Sequence, residues 1–162
     1  MKSTLLAIAL AAFTSACSYS HIGPASATFS SPAAPAGAGS LVAQAGPLVL
    51  RISRHVDTIL NGPDNDEDQL LVLHVHDFRL NQRLPIPSDY VAPQFTVRRF
   101  GPSSKGDGFN GFLIVKKVTP GKVDAYLHVD VTASTVSGSY TQTAKFHGDY
   151  TFTRGSTEVP EP

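Results

Sequence analysis

The chain has 162 residues, 41% hydrophobic and 16% charged, and its 13 basic and 13 acidic side chains give a formal net charge of zero. That balance leaves no basic excess for nucleic-acid phosphates and no polybasic stretch for an anionic membrane surface; Arg98-Arg99 and Lys116-Lys117 are isolated pairs. A single cysteine, Cys17, excludes a disulfide framework, so the fold must rest on its apolar core.

Residues 1–16 are laid out as an export signal. Lys2 supplies a positive start, Leu5 to Phe13 form an uncharged apolar run, and Thr14, Ser15 and Ala16 are small. The run falls short of the ~20 apolar residues that a permanent membrane helix needs. The stretch Phe13-Thr14-Ser15-Ala16-Cys17 resembles the bacterial lipobox, with Thr14 where leucine is usual. That resemblance implies that Cys17 is acylated, becomes the new N-terminus and holds the protein to the membrane through a lipid anchor. Each buried methylene contributes ~0.8 kcal/mol, so two or three acyl chains hold firmly where one holds marginally. Ser18 is not the aspartate that retains enteric-type lipoproteins at the inner membrane. The implied location is therefore the bacterial cell envelope, at the outer membrane facing the periplasm.

Residues 17–46 are dominated by Ala, Ser, Gly and Pro. Ser30 to Ser40 carries no charge and no large apolar side chain, too little to offset the entropy of ordering. Pro24, Pro32, Pro35 and the glycines break any helix. A flexible tether is expected here, with a reach of ~30 Å.

From Pro47 onward the apolar pattern has period two, which predicts strands. Leu48, Leu50 and Ile52 form one set, Leu71, Leu73 and Val75 a second, and Phe95 and Val97 a third. Phe112 to Val118 is apolar on both sides as far as Lys116. Val123 to Val131 alternates strictly with polar residues, and Tyr140 to Phe152 alternates with Thr, Lys, His and Asp. Thr119-Pro120-Gly121-Lys122 is a strong turn signal, and Thr135 to Gly138 a weaker one, so the last three strands should form a meander. A two-residue turn at Pro120-Gly121 sets Lys117 opposite Asp124. Counted on from there, it puts Phe112, Ile114, Leu127 and Val129 on one face, the expected core. Leu127 and Phe146 should be buried, with His128 and His147 outward. The fold class is all-β: a mostly antiparallel β-sandwich or partly open barrel of about six strands over residues 47–153, with a polar tail at 154–162.

Four His and Asp pairs have i, i+2 spacing, which puts both members on one face of a strand: His55/Asp57, His74/His76, His128/Asp130 and His147/Asp149. Imidazole with a carboxylate suits zinc or copper, and the candidate metal set is His74, His76, His128 and Asp130. Leu73 to Phe78 resembles locally the His-x-His strand of copper–zinc superoxide dismutases, but the further histidine ligands and the disulfide cysteines of that family do not appear. Solvated strand faces carry the same residues, so the pairs by themselves do not require a cofactor.

Asp64, Asp66 and Asp68 alternate as in calcium loops, but Gln69 and Val75 stand where an EF-hand needs glycine and glutamate; a hydrated acidic turn is expected. Gly106 to Gly111 lacks the lysine and helix of a phosphate loop and reads as a turn into a strand. The proline-stiffened stretch Arg83 to Pro93 reads either as a binding loop or as a crossover strapped down by Ile86 and Tyr90. No Gly-x-Ser-x-Gly motif is present and no catalytic residues are assigned. The expected role is a non-catalytic binding or structural module of the envelope, with an envelope protein or a glycan as partner and no nucleic acid. The alternative is a metal-binding protein using the outward histidines.

Overall fold

A computed structural model describes residues 20–23, 25–30, 48–58, 67–98, 104–134 and 141–155. Its strands are β1 (Ser20–Ile22), β2 (Ser26–Ser30), β3 (Leu48–Thr58), β4 (Glu67–Val75), β5 (Arg83–Ile86), β6 (Val91–Arg98), β7 (Ser104–Thr119), β8 (Lys122–Ser134) and β9 (Thr141–Arg154). The described residues include no helix. The sheet runs β3-β2-β9-β8-β7-β6-β4 and closes by pairing β4 back onto β3, which makes a seven-stranded barrel. All its pairings are antiparallel except β2 with β9, which run parallel through Thr28–Thr153 and Phe29–Arg154. β1 continues the β2 edge of β3, and β5 extends the β6 side of β7.

Closure follows from the sequence pattern. Strands β3, β4, β8 and β9 bury one parity only, and the bulged β7 buries Leu113 and Val115, so the sheet has one face to bury. With no helix or second sheet laid over it among the described residues, the sheet curls until that face lines its own interior. Leu48, Leu50, Ile52, Leu71, Leu73, Val75, Leu127, Val129, Phe146 and Phe152 all point into it. A barrel of this strand number is just wide enough for side chains to fill.

The β7–β8 hairpin turns at Pro120-Gly121 and pairs Lys117 with Asp124, as expected. Beyond that pair the register differs. A β-bulge at Lys116 moves the pairing on by one residue, so Val115 rather than Lys116 meets Ala125. One extra residue exchanges the two faces of a strand. Leu113 and Val115 therefore enter the core, and the expected core residues Phe112 and Ile114 stand half-buried on the outer wall. A second bulge at Asp107 restores the first parity near the start of β7.

Three further expectations are corrected. The tether cannot span all of residues 17–46, because β1 and β2 lie within it. Ala27 and Phe29 supply an inward face, and β2 has a partner strand on each side to satisfy its backbone. Residues 31–47, which hold most of the Ala/Pro/Gly stretch, lie outside the described residues. Gly106 to Gly111 is not a turn but part of β7. Arg83 to Pro93 is not one loop: it contains β5 and the start of β6, with Ile86 buried (3% exposed) and Tyr90 facing out (47%). Thr135 to Gly138, the residues after Gly155, and Cys17 with its leader also lie outside the described residues.

One end of the interior is polar. Glu67 and Gln69 are each only 3% exposed. The Gln69 and Gln142 side-chain amides both donate to Glu67 Oε2, and Arg54 Nε donates to Gln69 Oε1 at 2.9 Å. Arg54 Nη1 also donates to the Lys145 carbonyl at 2.8 Å, and the guanidinium lies 4.0 Å over the Phe146 ring. These contacts compensate polar atoms that would be costly if buried alone.

Candidate functional site

The outer wall formed by β5, β7, β8 and β9 carries a row of stacked side chains. Phe112 is directly opposite His128 across β7 and β8, and His128 is directly opposite His147 across β8 and β9. Opposed residues bring their Cβ atoms within ~5.5 Å, close enough for flat rings to stack. Phe112 and His128 have centroids 5.5 Å apart at 17°, and His128 and His147 lie 3.8 Å apart at 11°. From β5 the Arg83 guanidinium closes the row, 3.7 Å over the Phe112 ring. The bulge at Lys116 is what makes this possible, since without it Phe112 would point inward.

Charged groups frame the row. Asp130 Oδ1 lies 3.0 Å from His147 Nε2, a diagonal contact between β8 and β9. On the other side, Lys116 donates to Asp149 and sits near the Tyr126 ring. Further along the hairpin, Asp124 accepts from Thr151 Oγ1 at 2.9 Å and pairs with Lys122 at 3.1 Å, and these hydrogen bonds hold its pKa below the usual carboxylate value.

The candidate set His74, His76, His128 and Asp130 is not one site. His128 and Asp130 stand on β8; His74 stands on β4, with His76 just beyond it, and β7 and β6 intervene. Among the described residues, one His/Asp/Glu group is close enough to share an ion: His128, Asp130 and His147, with ligand atoms within 4.8 Å of one another. His55 pairs instead with Asp68, Nδ1 to Oδ1 at 2.9 Å. Asp64 and Asp66 lie outside the described residues. Periodicity identified His147 as outward but not as the cross-strand neighbour of His128, because that depends on the β8–β9 register.

Burial lowers the His74 pKa, and the charges of Arg51 and His76 lower it further. The unfolded chain therefore takes up this proton more readily than the folded one. The resulting loss of stability begins as pH falls through about 6.5, the ordinary histidine value, and is complete below the depressed folded value. Thermal midpoints at neutral and mildly acidic pH should differ less for His74→Gln than for the parent chain. An equal acid loss in both would refute a role for His74.

Comparison with known proteins returns no matching family model, no similar curated protein and no matching solved structure.

Proposed function

We propose that this chain is a lipid-anchored protein of the bacterial cell envelope, held at the outer membrane facing the periplasm through Cys17, and that its barrel is a binding or structural module acting through its outer wall. The observation that carries the second half is the interior: it is occupied by the barrel's own Leu, Val and Phe side chains. Recognition then falls to outward groups, of which the row from Arg83 to His147 is the most ordered. The first half rests on the lipobox-like leader. An envelope protein or a glycan remains the partner class in this reading.

The early strands change how such an anchor would work. Ser20, the first residue of β1, follows Cys17 by three residues. Three extended residues span roughly 10 Å, so the barrel would sit close to the bilayer surface rather than ~30 Å away on a coil. Labelling cells with a fatty-acid analogue tests the anchor. The parent chain should take up label and fractionate with membranes, while Cys17→Ala should do neither. Equal labelling of both chains would overturn the lipoprotein reading.

A further inference from the structure

We propose that His128, His147 and Asp130 form a binding site for a divalent transition-metal ion of the zinc or copper class on the outer wall of the barrel. The inference goes beyond the lipid-anchored reading and does not depend on it, since Cys17 plays no part.

The three side chains come from two adjacent, register-locked strands. His128 and His147 are directly opposed, and Asp130 follows His128 by two residues on the same face. Two imidazoles and one carboxylate are a donor set that zinc and copper prefer, whereas calcium and magnesium take oxygen ligands. The stacking determines which parts of the rings are available. One face of His128 lies against Phe112 and the other against His147, so the His128 ring offers its nitrogen edges rather than a flat apolar surface. Such nitrogen edges are suited to holding an ion.

The geometry also states what binding must change. The two imidazole rings lie nearly parallel, with centroids 3.8 Å apart. Ligands on a tetrahedral ion at ~2.0–2.1 Å sit roughly 3.3 Å from one another. His147 Nε2 and Asp130 Oδ1, at 3.0 Å, are close to that spacing, and the ligand atoms of all three side chains lie within 4.8 Å of one another. A small side-chain adjustment would bring all three ligand atoms to that spacing. His147 is the freer of the two imidazoles, being exposed on the outer wall, with Gly148 beside it in the chain. Three protein ligands leave the remaining coordination positions to water or to a donor from a partner.

The test uses the full chain in detergent, titrated with Cu(II) and followed by electron paramagnetic resonance, and titrated with Zn(II) by calorimetry. One equivalent should bind, with two nitrogen ligands in the Cu(II) signal. His147→Gln should weaken binding at least about tenfold and remove one nitrogen from the signal. The double variant His74→Gln/His76→Gln should bind like the parent. Metal-free thermal midpoints show that each variant is folded, and Asp130→Asn provides a second route should His147→Gln fail to fold. Binding unchanged in both His147→Gln and Asp130→Asn, or a loss that follows His74 and His76, overturns the proposal.

Discussion

Leu127→Ala should cost the barrel about 2–5 kcal/mol, the range for removing a large side chain from a packed core. Leu127 is fully buried in the middle of β8, between strands β7 and β9 that are themselves paired along most of their length. Nothing around it can collapse cheaply into the space, because its neighbours are fixed by ladder hydrogen bonds on both sides. Urea denaturation should show a large fall in midpoint with little change in slope. A matched pair on β7 separates the two possible faces of that strand. Leu113→Ala should behave like Leu127→Ala, and Ile114→Ala should cost far less, since Leu113 is buried and Ile114 only half so. Equal costs, or the reverse order, would mean that the bulge at Lys116 is misplaced.

Among the glycines at described positions, Gly111→Ala should be the most damaging change, costing about 3 kcal/mol or more. Its φ is +154°, which side chains rarely adopt. A Cβ there would lie 1.9 Å from the His128 carbonyl oxygen and 2.8 Å from Val129 Cα. Those are backbone atoms of the next strand and cannot rotate away, so β7 and β8 would have to part. The displacement would fall beside Phe112 and His128, so the proposed metal site should be disturbed along with stability. Gly121→Ala is the control: a Cβ at that turn position meets nothing within 4 Å. Similar midpoints for the two variants would refute the close approach.

The alternating strands were legible because a half-buried strand writes its two faces directly into its sequence. Leu48 to Ile52, Leu71 to Val75, Val123 to Val131 and Gln142 to Phe152 all follow the expected parity. Phe112 to Val118 did not, for a physical reason: a run apolar on both sides carries no parity, and one bulged residue then decides which set enters the core. The N-terminal strands were hidden by composition. Ser26 to Ser30 has the small residues of a coil, yet strands on either side supply its order, and Phe29, with the small Ala27, marks its inward face. The His128–His147 pair required the register of the β8–β9 hairpin, which pairs Ser134 with Thr141. Counting back from a two-residue turn at Ser137-Gly138 gives that same register, so the signal was present but weak. His74 and His76 attracted attention as a local motif, whereas the cluster that formed is cross-strand.

The parallel contact between β2 and β9 has a kinetic consequence. It joins strands from near opposite ends of the chain, Thr28 with Thr153 and Phe29 with Arg154. The ring therefore cannot close until β9 has been made and has found β2, and that encounter bears the loop-closure entropy of nearly the whole chain. Chains dominated by such distant pairings fold in milliseconds to seconds rather than microseconds. Before closure, β2 and β9 each present an unpaired edge able to template aggregation.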